Sequence, residues 1–410
     1  MNRAVFLDRD GVLNEAVVRD GKPYPPASID ELRIVPGAAA ALARLKAAGF
    51  RLIVITNQPD VARGTQTRDA VEAIHERLRA ALPLDEIVAC YHDGDGCDCR
   101  KPRPGALLAA AERHGLDLRA SYMIGDRWRD VEGGQRAGCT SFFLDRGYDE
   151  RAPAPPYLRV ESLDAAVQRI LEMERLTDLR VKIFADGADK AGILEMYALP
   201  YIRGFTTNPT LMQKAGLTDY RGFAGDILAA VPDRPISFEV FADEFDEMER
   251  QAREIATWGP NVYVKVPVTN TRREPAYDLV RRLSHDGVKV NVTALMTLDQ
   301  VRDVATALTG GAPACVSVFA GRIADTGRDP VPLMTEALTL LRPAPGAELI
   351  WASPRELLNI FQADAIGCPI ITVTNDLLRK LPLVGKDLAD YSLETVQMFH
   401  RDGRAAGFTL

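Results

Sequence analysis

The sequence predicts an α/β protein of two units, a doubly wound parallel-sheet domain followed by a (β/α)8 barrel. Three observations predict it. A chain of 410 residues is long for one ordinary domain and can give each of two domains its own core. In the first half three apolar runs, AVFLDRDG, RLIVITNQ and SYMIGDRWRD, each end in a polar cluster. After Leu179 eight apolar runs follow, many of them separated by helical stretches such as EFDEMERQAREIATWG and TLDQVRDVATAL.

Composition narrows the function classes. Apolar residues make up 47% and charged residues 26%, the profile of a globular protein in water. The net charge of -7 and the lack of a long Lys/Arg run argue against nucleic-acid binding, so phosphate affinity is expected only locally. No run approaches the roughly 20 apolar residues of a membrane span. The first strand is expected to start at Arg3, which leaves no room for a secretory leader. Six cysteines are too few for a disulfide scaffold in a chain of this size. A cytoplasmic enzyme with small-molecule partners, forming a homo-oligomer, is the expectation.

The stretch DRGYDERAPAPPYLRV is Pro-rich and charged, and SLDAAVQRILEMERL after it has a Ser cap and helical apolar spacing. That helix is expected to close a first domain of residues 1–175. The run LRVKIFAD then opens a second, over 176–410.

In a doubly wound sheet ligands sit beyond the carboxyl ends of the strands, so the three polar clusters should converge. They bring Asp8 and Asp10, Thr56 and Asn57, and Asp126 and Asp130. Four carboxylates at one sheet edge repel unless a cation intervenes, and hard oxygen ligands suit Mg2+. One DRDG would be an ordinary turn; three such clusters at successive strand ends are not. Nearby, CYHDGDGCDC spaces Cys90, His92, Cys97 and Cys99 as C-x-H-x4-C-x-C, a ligand set for a closed structural Zn2+ site.

The order DRDG, TN, the lysine of CRKPRPG and GDRWRD resembles the haloacid dehalogenase (HAD) superfamily of phosphatases over most of residues 1–150. The resemblance implies that Asp8 attacks phosphorus, while Asp10 protonates the leaving oxygen and then activates water. It assigns Mg2+ to Asp8, Asp10 and Asp126, a fixed positive charge to Lys101, and phosphoryl contacts to Thr56 and Asn57. The cysteine loop is similar to that of the histidinol-phosphate and heptose-bisphosphate phosphatases, though shorter between His92 and Cys97. TNQPDVARG resembles the same subgroup, and Arg63 is either a substrate contact or a solvated surface charge.

In the second half the runs VKIFAD, GFTTNP, ISFEVF, VYVKVP, VKVNVTA, CVSVFAGR, ELIWAS and IITVTN give eight strands. Period-2 alternation along NVYVKVPV sends Val262, Val264 and Val266 outward under helices and Tyr263 and Lys265 into the barrel. The same alternation directs Asp186, Thr206, Asn208, Glu239, Asn291, Thr293 and Ser317 inward. Barrel interiors are normally filled by branched apolar side chains, so this polar set asks for a chemical reason. Two readings of Lys265 stand. It forms a buried ion pair with Glu239 or Asp186, or it is a Schiff-base nucleophile whose burial favours the neutral amine.

KIFADGAD, FTTNP, the VKVP lysine, NVTA and VFAGRIAD resemble the transaldolase family of class I aldolases over residues 179–405. The resemblance implies an iminium between Lys265 and a ketose carbonyl, with Asp186 the acid/base at the cleaved hydroxyl. Glu239 and Thr293 would position a water that relays protons. Thr206, Asn208 and Asn291 are substrate-side candidates, and Ser317, Arg322 and Arg355 candidates for the distal phosphate. Fructose-6-phosphate aldolases, the single-substrate branch, tend to carry Gln and Tyr where this chain has Glu239 and Phe319. Transfer of dihydroxyacetone between sugar phosphates is therefore the first reading, with release of free dihydroxyacetone the alternative. A third holds one domain to be a catalytically silent scaffold that binds sugar phosphates. The barrel would make or cleave a sugar phosphate, and the phosphatase would make the flux one-way.

Overall fold

The computed structural model describes residues 2–94, 96–176 and 179–407. Along its first half run β1 (Ala4–Leu7), β2 (Val17–Arg19), β3 (Lys22–Tyr24), β4 (Arg51–Asn57), β5 (Glu86–Cys90), β6 (Tyr122–Gly125), β7 (Thr140–Leu144) and β8 (Leu158–Val160). Six of them form one parallel sheet in the order β5-β4-β1-β6-β7-β8. The chain steps outward from β1 to β4 and β5, then crosses back to lay β6 on the other side of β1. A topological switch point therefore lies between β1 and β6. The three polar clusters follow β4, β1 and β6, which are neighbours in the sheet, so the sequence expectation that they converge holds.

These strands read as unbroken apolar runs because both faces are covered. Val5, Leu7, Leu52 and Val54 enter one core with Leu42 and Leu45. Ala4, Phe6, Ile53 and Ile55 enter another with Leu107 and Ala110. The helix Leu163–Glu174 is capped by Ser162 and buries Leu163, Val167, Ile170 and Met173. It packs on the helix Ala38–Ala47, which ties it to this sheet. The expected domain boundary falls beside residues 177–178, outside the described residues.

β2 and β3 form a separate antiparallel hairpin turning at Asp20 and Gly21, both with positive φ (50° and 72°). Asp-Gly is the pair that such turns favour, a signal that a search for apolar runs passes over.

The second half holds β9 (Lys182–Asp186), β10 (Ile202–Thr206), β11 (Ile236–Glu239), β12 (Val262–Pro267), β13 (Val290–Leu295), β14 (Ala314–Val318), β15 (Ala347–Trp351) and β16 (Ile370–Thr374). All eight pair in parallel and in sequence, and β16 closes on β9. Val262, Val264 and Val266 are buried under helices while Tyr263 and Lys265 are partly accessible from within, as the alternation predicts. The interior is layered. Phe184, Cys315, Ile350 and Ile370, with Tyr263 against them, fill it toward the amino ends. Gly204 makes room for this plug, since a Cβ there would lie 2.6 Å from the Phe184 ring. The polar side chains collect above it, toward the carboxyl ends.

The two units meet amino end to amino end. One cavity of ≈ 960 Å³ is lined by Thr140 and Ser141 of β7 and by Lys182, Ile202, Glu348 and Ile370 of the barrel, all at or near the starts of their strands. Each set of carboxyl ends therefore points away from the junction. Among the described residues no helix is long and apolar enough to cross a membrane.

Two candidate active sites

The first site sits at the switch point. Asp8 follows β1, Asp126 follows β6, and Asp130 lies in the first turn of the helix Trp128–Ala137; all three are buried. One donor oxygen from each falls within 4.8 Å of the others. Lys101 is buried among them, with Nζ 2.6 Å from Asp8 Oδ1, 2.7 Å from Asp130 Oδ1 and 2.5 Å from the Ile55 carbonyl. Burial opposes the ammonium, but Asp130 and Asp8 outweigh it and raise the Lys101 pKa, so the charge is permanent. Burial, then Asp130, push Asp8 up to about 7. Burial, then Asp8 and Asp130, raise Asp126 well above the carboxylate range, opposed by the Tyr148 hydroxyl. Neither Asp126 oxygen has a hydrogen bond of ordinary geometry. Gly11 (φ 87°) gives Asp126 its space: a Cβ there would fall 1.7 Å from Oδ2. Three crowded carboxylates, one of them with no hydrogen bond of ordinary geometry, against a single ammonium fit a divalent cation.

The Asp10 carboxylate is not part of this cluster. Arg9 lies 2.9 Å from Asp10 Oδ2 and also faces Oδ1, Asn14 donates to Oδ1 at 3.0 Å and Gln58 to Oδ2 at 2.9 Å. Burial would raise its pKa, but Arg9 and these donors hold it below the usual range. The expectation of Asp10 as a side-chain Mg2+ ligand is thus corrected, because its oxygens are already taken, and Asp130 is the third carboxylate of the cluster.

Thr56 accepts from Gln58 at 2.8 Å and keeps its own proton for a ligand. Asn57 spends its Oδ1 and one amide N–H on the Lys101 backbone, at 3.1 Å each, which braces Lys101, and it also lines the cavity beside Asp8. Arg63 stands at the mouth, 47% exposed, and forks onto Asp93 at 2.8 Å. The cavity of ≈ 260 Å³ above Asp8 is rimmed by Lys22, Tyr24, Arg63, Arg100, Arg127 and Arg129. The hairpin thus supplies part of the rim, which the apolar-run reading did not foresee.

Beside this site the Cys90, Cys97 and Cys99 sulfurs and His92 Nδ1 gather. Cys99 Sγ lies 3.2 Å from Cys90, 3.4 Å from Cys97 and 3.3 Å from His92, and Cys90 lies 3.7 Å from both Cys97 and His92. Bonds of about 2.3 Å to sulfur and 2.0–2.1 Å to nitrogen would place tetrahedral zinc ligands at comparable separations.

The second site lies inside the barrel. Lys265 Nζ is 2.8 Å from Glu239 Oε1 and donates to the Thr207 carbonyl, and its side chain is 13% exposed. The ion pair weighed from the sequence is therefore formed, with Glu239 as partner. A carboxylate at this distance can also accept the proton that an attacking amine must lose. Glu239 Oε2 accepts from Thr207 Oγ1 at 2.8 Å, and the Tyr220 hydroxyl caps its backbone N–H at 2.7 Å. Burial, then Glu239, raise the Tyr220 pKa, so the phenol stays protonated. Asp186 accepts from Thr206 at 2.8 Å and from Asn208 at 2.9 Å. Burial raises its pKa against the pull of Lys265, as suits a proton-transfer group.

Asn291 and Ser317 form one buried chain, Ser317 Oγ donating to Asn291 Oδ1 at 2.7 Å and Asn291 Nδ2 to Ser237 Oγ at 3.1 Å. Ser317, expected in the phosphate set, spends its own proton within the barrel core. Arg355 is held by Asp325, with Nε 2.8 Å from Oδ1, a partner too far off in sequence to foresee. Arg322 has no ion pair among the described residues and remains the open cation of that set. Thr293 sits at a bulge of β13, its hydroxyl without a hydrogen bond among the described residues, next to Ala294 in the left-handed region (φ 66°). Sequence reasoning missed Thr207, Tyr220 and Ser237. Thr207 falls on the outward parity of its run but lies past the end of β10, where the alternation no longer applies.

The comparisons agree with this division. The model of the transaldolase/fructose-6-phosphate aldolase family matches residues 183–409, and that of haloacid dehalogenase-like hydrolases matches 24–138. A probable transaldolase of Dehalococcoides mccartyi is 34% identical over 215 residues, 52% of this chain and 96% of the relative. The D-glycero-beta-D-manno-heptose-1,7-bisphosphate 7-phosphatase of Pseudomonas putida is 37% identical over 155 residues, 36% of this chain and 86% of the relative. A crystal structure of the D,D-heptose 1.7-bisphosphate phosphatase of B. bronchiseptica, complexed with magnesium and phosphate, is 32% identical, covers 42% of this chain and 99% of that one, and has a TM-score of 0.38. The chain is thus an enzyme that belongs, through its barrel, to the transaldolase/fructose-6-phosphate aldolase family and, through its first sheet, to the haloacid dehalogenase-like hydrolases.

Proposed function

We propose that the chain is a bifunctional sugar-phosphate enzyme, a Mg2+-dependent phosphatase joined to a Schiff-base transaldolase. The observation that carries the reading is that each candidate nucleophile stands beside the group its reaction needs. Asp8 lies against the fixed charge of Lys101, and Lys265 against the carboxylate of Glu239.

In the first domain an Asp8 oxygen attacks phosphorus, the bond to the sugar oxygen breaks, and Asp10 gives that oxygen a proton. Arg9 keeps Asp10 ionised at rest, and an arriving phosphate dianion raises its pKa, so the proton is taken up with the substrate. Water then attacks phosphorus, Asp10 takes its proton, and the aspartyl–phosphate bond breaks to release phosphate. Thr56 donates to the phosphoryl oxygens and Lys101 offsets their charge. A divalent cation held by Asp8, Asp126 and Asp130 would supply the remaining charge neutralisation. The rim arginines and Lys22 suit a second anionic group on the sugar. Cys90, His92, Cys97 and Cys99 are read as a structural Zn2+ site, and the six free cysteines fit a reducing cytoplasm.

In the barrel the Lys265 amine attacks the ketose carbonyl and water leaves, giving the iminium. Cleavage of C3–C4 sends its electron pair into that iminium while Asp186 takes the C4 hydroxyl proton. The cleaved aldose phosphate leaves, the resulting enamine attacks a second one, and Asp186 returns the proton to the new hydroxyl. Water then hydrolyses the iminium to free the new ketose and the Lys265 amine. Glu239 and Thr293 hold the water that moves protons during imine formation. Because each site opens away from the junction, a sugar phosphate shared by the two would pass through solvent.

The test is a pair of single substitutions in the full chain. Asp8→Asn should lower phosphate release from sugar phosphates by about 10⁴-fold or more, and Lys265→Ala should abolish the borohydride-trapped ketose-phosphate adduct seen by mass spectrometry. Each should leave the other domain's signal unchanged. An adduct that survives Lys265→Ala, or phosphate release that survives Asp8→Asn, would overturn the corresponding half, and a silent domain would give no wild-type signal at all.

A further inference from the structure

Behind the first site Arg9 is the inner end of a buried network whose other members that mechanism does not use. Arg9 is 0% and His75 1% exposed, so neither can touch a sugar phosphate. Arg9 Nε lies 3.1 Å from both Asp10 oxygens, and Nη1 lies 3.1 Å from His75 Nε2. A guanidinium only donates, so Nε2 must accept and the His75 proton sits on Nδ1. Nδ1 faces Glu72 Oε2 at 3.3 Å, and Glu72 Oε1 accepts from the Tyr91 hydroxyl. Burial, then the Arg9 charge, lower the His75 pKa to about 4, which keeps the ring in the neutral form this geometry demands. Arg9 Nε, Arg9 Nη1, His75 Nδ1 and the Tyr91 hydroxyl thus each face an acceptor, which links Asp10 to Tyr91. The outer end is fixed as well, because Tyr91 stands between Cys90 and His92 of the cysteine loop.

We propose that Arg9, His75, Glu72 and Tyr91 form a positioning chain that holds the Asp10 carboxylate in line for proton transfer and anchors it to the cysteine loop. The proposal rests on the reading of Asp10 as the phosphatase acid/base. A carboxylate that serves first as acid and then as base must keep one oxygen on the reacting atom through both steps. A guanidinium bridging both oxygens fixes the carboxylate plane, and a buried imidazole fixes the guanidinium in turn. Asn14 and Gln58 each add one bond, to Oδ1 and Oδ2 respectively, where Arg9 meets both oxygens at once.

The test uses leaving groups. An alkyl phosphate needs its leaving oxygen protonated, whereas a nitrophenyl phosphate does not. Asp10→Asn should lose about 10²–10⁴-fold more activity on the alkyl than on the aryl substrate. His75→Gln and Tyr91→Phe should show the same selectivity, at roughly tenfold, in kcat and not in KM. Neither should add selectivity in an Asp10→Asn background, since the group they position is then gone. Tyr91→Phe removes one hydrogen bond at the outer end, so it reads the chain without emptying the buried site.

Equal losses on both substrates, or additive losses in the double variants, would overturn the positioning role. If Asp10→Asn itself shows no leaving-group selectivity, the acid/base reading falls and takes this inference with it. If Asp10→Asn is selective while the other two are not, only the positioning chain falls.

Discussion

The two sites carry different excesses of negative charge at equivalent places, the carboxyl ends of parallel strands. With every group ionised, the first holds three carboxylates, Asp8, Asp126 and Asp130, around one ammonium, Lys101. The barrel holds two, Asp186 and Glu239, with one ammonium, Lys265. Two unit charges about 4 Å apart at an effective dielectric near 20 interact by roughly 4 kcal/mol. The first site therefore cannot meet a phosphate dianion on its own charges, whereas the barrel can meet a neutral ketone on its own. The source of positive charge sets the chemistry in each. On the function proposed above, it is imported in one site, and in the other it becomes the nucleophile once it loses a proton.

The sharpest way to break this comparison is to remove divalent cations. Chelation should lower phosphate release by about 10³-fold or more, since a metal at such a site supplies several kcal/mol of charge stabilisation. Restoring Mg2+ should recover it, and borohydride trapping on Lys265 should not change. Loss of both signals would mean that the metal holds the fold together, and loss of neither would mean that the carboxylate cluster needs no cation.

How far the sequence reveals such sites depends on whether a role is set by strand parity or by a distant partner. Parity sends Lys265, Glu239, Asn291 and Ser317 into the barrel, and the barrel register agrees: Glu239 pairs with Lys265, and Lys265 with Asn291. The ends of β1, β4 and β6 likewise mark the first site. Parity does not say which neighbour occupies a side chain. Arg355 is captured by Asp325, Arg63 by Asp93, and Ser317 by Asn291. Asp10 is taken by Arg9 next to it and by Gln58, 48 positions away. Tyr220 reaches Glu239 from a helix whose sequence carries no mark of the site. Ligand sets were therefore the least legible part, because a hydrogen bond is decided by a few tenths of an ångström between residues far apart in the chain.

A smaller effect should separate the two cores. In the barrel Asn291 bridges Ser237 and Ser317 with no access to water, so Asn291→Ala leaves two buried hydroxyls without that partner. Each unsatisfied group costs about 1–3 kcal/mol. The barrel should unfold at lower denaturant while the first domain, followed by its phosphate release, keeps its midpoint. Equal shifts in both would mean that the cavity-lined junction couples the two units into one folding transition.

The smallest effect concerns backbone strain, which the sites also handle differently. Beside Asp126 the positive φ falls on Gly11, which adopts it without penalty and leaves the Cβ space to a carboxylate oxygen. Beside Thr293 it falls on Ala294, at the irregularity of β13 between Val292 and Leu295. An L residue in that region is strained by about 1–2 kcal/mol. Glycine would relieve this but would give the unfolded chain about 0.4–1 kcal/mol more conformational freedom. Ala294→Gly should therefore stabilise the barrel by at most about 1.6 kcal/mol, a rise in melting temperature of roughly 3–6 °C at that limit. If the strained alanine braces Thr293, the same variant should form the Lys265 adduct more slowly, so stability and rate move in opposite directions. A variant that gains stability and traps substrate at the wild-type rate would show that the bulge alone sets the position of Thr293.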